Sequence, residues 1–103
     1  MADKRKVSWE FFLGFFLVDA EMTIEQPVAG ALCTSTGRIT KVDSNGSNVF
    51  FSRSDITYSQ GTSNDLPKTD RPSISKQEKV FYDDDERTFY VENRNRKISI
   101  RLN

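Results

Sequence analysis

The chain of 103 residues contains no histidine and a single cysteine, Cys33. Without histidine, the sequence cannot supply a Ser-His-Asp or Cys-His nucleophile pair, a histidine-ligated metal, or the side chain that ordinarily titrates near neutral pH. A single cysteine excludes an internal disulfide and a zinc site built on cysteines. We therefore expect a protein that is not an enzyme and that uses no metal and no cofactor.

The chain also lacks a net charge: it has 15 lysine and arginine residues and 15 aspartate and glutamate residues, so its formal net charge is zero. Zero net charge argues against a strongly basic nucleic-acid-binding protein, since neutralisation of phosphates dominates the affinity of such proteins. The charges are nevertheless unevenly distributed. The charged residues at positions 10–25 are all acidic, residues 83–86 are all acidic, and the charged residues at positions 87–101 are mainly basic. This distribution fits either a basic surface near the C terminus or an ordinary surface of mixed charge.

Long apolar runs are absent, and the run at residues 11–18 is shorter than the roughly 20 residues of a membrane-spanning helix. We therefore expect no membrane partner, although the basic residues before this run leave a signal peptide as an alternative.

Val7, Trp9 and Phe11 alternate with polar residues, as in a strand. Gly14 would cost a helix interior about 1 kcal/mol. We predict a strand here, with a buried helix as the alternative.

The remaining pattern predicts short strands separated by turns. Asn45 and Gly46 are typical of a tight hairpin turn that requires positive φ. Ile98, Ile100 and Leu102 alternate with polar residues, which indicates a strand with one buried face. Strands are predicted at residues 22–25, 31–42, 48–56, 79–82, 87–93 and 96–102.

The fold class that follows is all-β: a small barrel of five to seven strands. We expect one domain over residues 1–103, in which residues 1–30 form an N-terminal extension as a strand or hairpin. Residues 57–77 are rich in Ser, Thr, Asn, Asp, Gly and Pro, and predict a long flexible loop. Loops of this length in a small domain are usually functional or disordered.

Residues 37–42, the turn that follows them and residues 49–56 resemble cold-shock domains, which are five-stranded barrels of the OB type. The family's second ribonucleoprotein motif runs approximately Val-Phe-Val-His-x-Ser-x-Ile. Residues 49–56 read Val-Phe-Phe-Ser-Arg-Ser-Asp-Ile, with Ser52 in place of the histidine. The family's first ribonucleoprotein motif is missing, and Lys41 stands where tryptophan is common. The resemblance implies an OB-like barrel that binds single-stranded RNA or DNA.

The residues themselves allow the same function. On a strand, Phe50 would face away from the core and could stack on a base, which contributes about 1–3 kcal/mol. The alternative is that the N-terminal aromatic segment covers Phe50 as an extra layer of core. The predicted contacts to nucleic acid are Phe50, Arg38, Lys41, Arg53, Arg94, Arg96 and Lys97.

The second hypothesis is a protein-interaction or homo-oligomeric assembly module, of which a homodimer is one form. Aromatic residues that do not fit inside a small core form an exposed apolar patch, and such patches mark partner surfaces. We expect the chain to act in the cytoplasm, with the nucleus as the alternative. The predicted partner contacts are Trp9, Phe11, Phe12, Phe15 and Phe16.

Overall fold

A computed structural model describes residues 4–28, 30–59, 68–92 and 96–102. These residues form eight antiparallel strands in one sheet, together with one short helix. The sheet curls into a half-barrel around a single hydrophobic core. The predicted all-β class is therefore confirmed, with eight strands rather than five to seven.

The strands follow the spatial order β1-β6-β7-β8-β2-β3-β4-β5, so that β1 and β5 are its two edges and β2 lies in the middle. Part of the predicted N-terminal extension is thus a central strand. The elements are β1 (Lys4–Val7), α1 (Trp9–Leu13), β2 (Glu21–Val28), β3 (Ala31–Ser44), β4 (Asn48–Tyr58), β5 (Ser73–Ser75), β6 (Lys79–Asp83), β7 (Thr88–Glu92) and β8 (Lys97–Arg101).

Helix α1 replaces most of the strand predicted near the N terminus. Ser8 caps it, because the Ser8 hydroxyl accepts a hydrogen bond from the Phe11 amide at 3.1 Å. Gly14 ends it and donates its amide to the carbonyl oxygens of Glu10 and Phe11. The predicted strand is therefore wrong over these residues, and the helical alternative is correct.

The reason for the helix lies in the aromatic rings. A helical turn brings Phe11 and Phe15 to the same side, where their ring centroids are 5.1 Å apart. Phe12 and Phe15 both pack edge-on against Phe89 of β7, at 5.1 Å and 4.9 Å. The helix therefore fills the concave side of the curled sheet, and this tertiary packing outweighs the weak local preference of aromatic residues for strands.

The sheet contributes the other side of the core, through the residues that alternate toward its concave face. In β8, Ile98 and Ile100 are buried whereas Lys97 and Ser99 are not, as predicted. The β3–β4 turn contains Gly46 at φ 89°, in the region that glycine adopts most easily. The buried hydrophobic residues of the strands are Met22, Ile24, Ile39, Val49, Phe51, Ile56, Ile74, Val80, Tyr82, Phe89, Val91, Ile98 and Ile100.

The predicted 57–77 loop is described at residues 57–59 and 68–77. Residues 57 and 58 belong to β4 and residues 73–75 form β5, so the loop prediction is wrong there, while residues 68–72 run along β4 as an irregular sheet edge. Backbone hydrogen bonds join Ile56 to Lys68, Arg53 to Asp70, and Phe51 to Pro72, before β5 begins. Residues 60–67 lie outside the described residues. The segment 68–72 is thus tied to the sheet at regular intervals, which the polar composition did not indicate.

Candidate interaction surfaces

Phe50 lies on the outer face of β4, opposite Asp43 of β3 and Ser73 of β5. Its neighbours Val49 and Phe51 are buried in the core, whereas Phe50 itself is half-buried. The guanidinium of Arg71 lies over its ring, 4.9 Å from the centroid. The predicted outward direction of Phe50 is therefore correct. Its ring is partly covered by Arg71, from the segment along the sheet edge.

The charges beside Phe50 largely neutralise one another. The Asp43 carboxylate lies 3.4 Å from the Arg71 guanidinium and 3.7 Å from the Lys41 ammonium. Two cations thus share one acid, and this surface keeps a single excess positive charge. Arg71 was absent from the predicted contacts because it lies in the segment interpreted as a loop, far from the motif in sequence.

Arg53 is only 2 % exposed, so the prediction that it contacts phosphates is wrong. Its guanidinium forms a bidentate pair with Asp70, at 2.8 Å and 2.6 Å, and also donates to the carbonyl oxygens of Met22 and Ser35. The alternation that directs Phe50 outward directs Arg53 inward, and this was readable from the sequence. Arg53 therefore anchors the 68–72 segment to the sheet.

The other predicted cations near the motif and the C terminus also have acidic neighbours. Arg38 lies 3.7 Å from the exposed carboxylate of Asp55. Lys97 of β8 stands between Glu92 of β7 and Glu25 of β2 in the strand register. The outer face is thus charge-balanced across the strands, an arrangement that stabilises a sheet by a few tenths of a kcal/mol for each opposite pair.

Arg96, just before β8, is half-buried and reaches across the curled sheet to its β5 edge. It donates to the Ser73 carbonyl of β5 and lies 3.7 Å from the Glu78 carboxylate. This role is structural and draws the β7–β8 end toward the β5 edge. The predicted contact Arg94 lies outside the described residues.

The predicted partner contacts of the N-terminal segment divide into three groups. Phe12 is fully buried, so its prediction as a partner contact is wrong: it packs against Phe51 and Phe89. Trp9, Phe11 and Phe15 are half-buried against the core. Phe16, in contrast, is 80 % exposed, and all the other phenylalanines, each within the described residues, are at least half-buried.

Leu13 is the other exposed large hydrophobic residue on the surface of this segment, with 41 % of its area exposed. Sequence reasoning missed it, although a helical interpretation of the segment would have turned its side chain about 100° away from that of the buried Phe12. A shallow concavity of about 430 Å³ adjoins this surface, and Phe15, Phe16, Val18 and Leu102 contribute apolar walls to it. We call Leu13 and Phe16 the Phe16 patch.

The acidic residues 83–86 form the predicted turn between β6 and β7. The buried Asp83 carboxylate accepts the backbone amides of Asp85 and Glu86 at 2.9 Å and 3.1 Å. Tyr90 donates its hydroxyl to Glu86 at 2.7 Å, and this bond raises the pKa of Tyr90 to about 12. Within the described ranges, no three His, Cys, Asp or Glu side chains are grouped so as to hold a metal.

No family model matches the chain, and neither the curated proteins nor the solved structures searched contain a match. The resemblance to cold-shock domains therefore stays a prediction. In the part of the chain that the structure describes, no helix is both long and apolar enough to cross a membrane.

Proposed function

We propose that the chain is a non-catalytic module that binds a protein partner through the Phe16 patch. The observation that carries this proposal is the 80 % exposure of Phe16 in a protein that packs its other phenylalanine rings. Full burial of one such side chain is worth about 1.5–3 kcal/mol, and aromatic anchors of this kind dominate protein interfaces. Phe16 is therefore suited to enter an apolar pocket of a partner.

The charges beside the patch define the partner further. Glu10 lies one helical turn before Leu13 and is exposed, and Asp19 follows Phe16. No basic residue occurs between positions 10 and 25, and Arg87 is the one cation among the residues that line the adjoining concavity. Two copies of the patch placed face to face would bring these acids together, which disfavours a symmetric dimer here. The patch thus fits a different protein, with an apolar pocket and a basic rim.

Photo-crosslinking in the cells that produce the protein tests this proposal. A benzophenone amino acid at position 13 leaves Phe16 in place, and the same group at position 97 on the outer sheet face is the control. We expect a defined protein adduct from position 13 only. Identical adducts from both positions, or none from position 13, would contradict the proposal.

Purified partner then provides the quantitative test. Phe16→Ser should weaken its binding by about tenfold or more, because a buried aromatic contact is lost. The unfolding free energy should change by less than about 0.5 kcal/mol, since the side chain is exposed. If the Phe16→Ser protein binds as tightly as the wild type, the patch is not the binding surface.

A second candidate function, binding of single-stranded nucleic acid, is favoured by the Phe50 surface. The ring of Phe50 is half-buried with its outer side at the surface, and Lys41 and Arg71 lie near it. A base stacked on this ring would displace the Arg71 guanidinium toward the phosphates. The function would be weak, because Asp43 already neutralises part of the charge.

Titration of labelled single-stranded RNA at low salt tests this candidate. Phe50→Ala should weaken binding by about five- to a hundredfold, the equivalent of one stacked base. Phe81→Ala is the matched control, since Phe81 is the half-buried phenylalanine on the outer face of β6. Absence of saturation at low salt, or equal effects of the two substitutions, would exclude the Phe50 surface.

A further inference from the structure

The turn between β3 and β4 holds Asn45 and Gly46, the single Asn-Gly pair of the sequence. Both residues are exposed, as are Ser44 and Ser47 on either side of them. Gly46 has φ 89°, and a side-chain carbon added to it would meet no atom within 4 Å. The space around Gly46 is therefore open to solvent.

The side chain of Asn45 is oriented by the backbone of this turn. Its carbonyl oxygen Oδ1 accepts the amide of Ser47 at 3.1 Å and the amide of Asn48 at 2.8 Å. Its Nδ2 group forms no hydrogen bond within the described residues. The Asn45 side chain thus lies along the turn past Gly46, with its carbonyl group held by two bonds and its NH₂ group unbound.

We propose that Asn45 is a site of spontaneous covalent modification, at which it is converted to aspartate and isoaspartate. In the first step, the Gly46 backbone nitrogen gives its proton to a solvent base and bonds to Cγ of Asn45. The Cγ–Nδ2 bond breaks, and Nδ2 takes a proton from water and leaves as ammonia. Water then opens the cyclic imide. Cleavage between the Gly46 nitrogen and Cγ gives aspartate, and cleavage between that nitrogen and the main-chain carbonyl carbon gives isoaspartate.

The structure favours this reaction at Asn45 over Asn48. Gly46 has no side chain to hinder the attacking nitrogen, whereas Asn48 is followed by the β-branched and buried Val49. The two amides that contact Oδ1 also face the atom on which negative charge develops during the attack, as the donors of an oxyanion hole do. The Gly46 amide itself is donated to the Ser44 hydroxyl at 3.2 Å, so this bond must open before the nitrogen attacks.

The two products affect the turn differently. Aspartate at position 45 keeps an oxygen atom in the place of Oδ1, so both amide bonds persist. Isoaspartate adds a methylene group to the main chain, which moves the acceptor away from the two amides. The Ser47 carbonyl accepts the Lys76 amide at 2.8 Å and so joins this turn to the one between β5 and β6. Isoaspartate should therefore loosen both turns, whereas aspartate should not.

Incubation of the purified protein at mildly alkaline pH, followed by mass spectrometry of its peptides, tests whether the site reacts. We expect replacement of NH₂ by OH at Asn45, with both isomers separable by chromatography, while Asn48 stays intact. A synthetic peptide of residues 42–51 gives the rate without the fold, and we expect the folded chain to react more slowly because its turn must first open. No conversion in the folded chain once the peptide has fully reacted, or equal conversion of Asn48, would overturn the proposal.

Hydrogen exchange of the purified isoaspartyl form tests the consequence for the turn. The amides of Asn48 and Lys76 should exchange about fivefold faster than in the unmodified protein, the equivalent of one lost side-chain cap. The Asn45→Asp variant is the matched control, since it carries the same new charge and keeps both bonds, and its exchange should be unchanged. Equal acceleration in Asn45→Asp, or at the distant Ile100 amide of β8, would contradict a specific loosening of the turn.

Discussion

Phe16 and Phe50 both lie outside the core, but their surroundings differ. Phe50 sits within a sheet, where neighbouring strands supply Asp43 and Ser73 in register and Arg71 covers the ring. Phe16 follows the glycine that ends α1 and itself belongs to no strand. A sheet therefore surrounds its outward-facing residues with partners, whereas a chain segment leaving a helix does not.

The same contrast holds for the charges. On the outer face of the sheet, cations and acids face each other across strands, as Glu92 and Lys97 do. Where the chain turns from β5 to β6, Lys76 has no strand opposite it, whereas Lys79 at the start of β6 still faces Glu92 of β7. The surfaces that are available to a partner are thus those whose side chains have no neighbour on an adjacent strand.

The largest expected effect compares two phenylalanines of the N-terminal segment. Phe12→Ala should lower the unfolding free energy by about 3–5 kcal/mol, because it leaves a cavity among Phe51 and Phe89. Phe16→Ala should change it by less than about 0.5 kcal/mol. Urea denaturation of the two variants measures both values, and similar losses would show that Phe16 is packed in solution.

The next effect concerns the segment beneath the Phe50 surface. Asp70→Ala should destabilise the protein by about 3 kcal/mol, because it leaves the buried Arg53 charge without its carboxylate. Asp55→Asn, which breaks only the exposed pair with Arg38, should cost at most about 1 kcal/mol.

Urea denaturation gives these free energies, and hydrogen exchange of the Arg53 and Phe51 amides reports whether the 68–72 segment has detached. If Asp70→Ala is no more costly than Asp55→Asn, the Arg53–Asp70 pair does not anchor that segment.

A smaller effect tests how Phe50 is covered. Arg71→Ala should cost about 0.5–1 kcal/mol through loss of an exposed cation–π contact. The substitution should also expose the Phe50 ring, which NMR chemical shifts of that ring would report. Lys41→Ala is the control, because Lys41 shares Asp43 with Arg71 but forms no cation–π contact with the Phe50 ring among the described residues. Unchanged Phe50 shifts in Arg71→Ala would show that the guanidinium does not rest on the ring.

The smallest effect concerns Tyr90, whose hydroxyl is hydrogen-bonded on the outer face of the sheet. Its pKa is raised to about 12, first because the hydroxyl donates to the Glu86 carboxylate. The unfolded value is about 10, so the stabilisation from this bond is complete below that pH and is lost as the pH rises through the folded value.

Tyrosinate absorbance should show one transition moving to lower pH in Glu86→Gln, while Asp85→Asn, in the same turn, should leave it in place. An unchanged titration in Glu86→Gln would refute the Tyr90–Glu86 bond.

Much of the sheet was predictable because its strands obey local rules. The alternation in β8 and the Asn45–Gly46 turn needed only neighbouring residues to be interpreted correctly. The helix α1 was predicted as a strand because Gly14 and the dense aromatic residues argue against a helix locally. The helix forms because the other strands leave a concave space that Phe12 and Phe15 fill. The local sequence of the segment does not reveal that space.

The candidate surfaces were predictable only in part. The direction of Phe50 followed from strand alternation, and the same rule applied to Arg53 would have placed it inside. Its partner Asp70 is 17 residues away, across a segment of loop-like composition, so the pair itself was not readable. The neutralisation of Lys97 depends on the spatial order of strands, which brings Glu25 beside it from the other end of the chain.

Strand β1 has a consequence for how copies of this protein meet at high concentration. It is an edge of the sheet, with backbone groups that another strand could extend, and it consists of Lys4, Arg5, Lys6 and Val7. Consecutive cations on a short edge strand repel a second identical edge, which is one way that natural sheets resist polymerisation. The opposite edge, β5, is only three residues long. Fibre formation through either edge is therefore disfavoured.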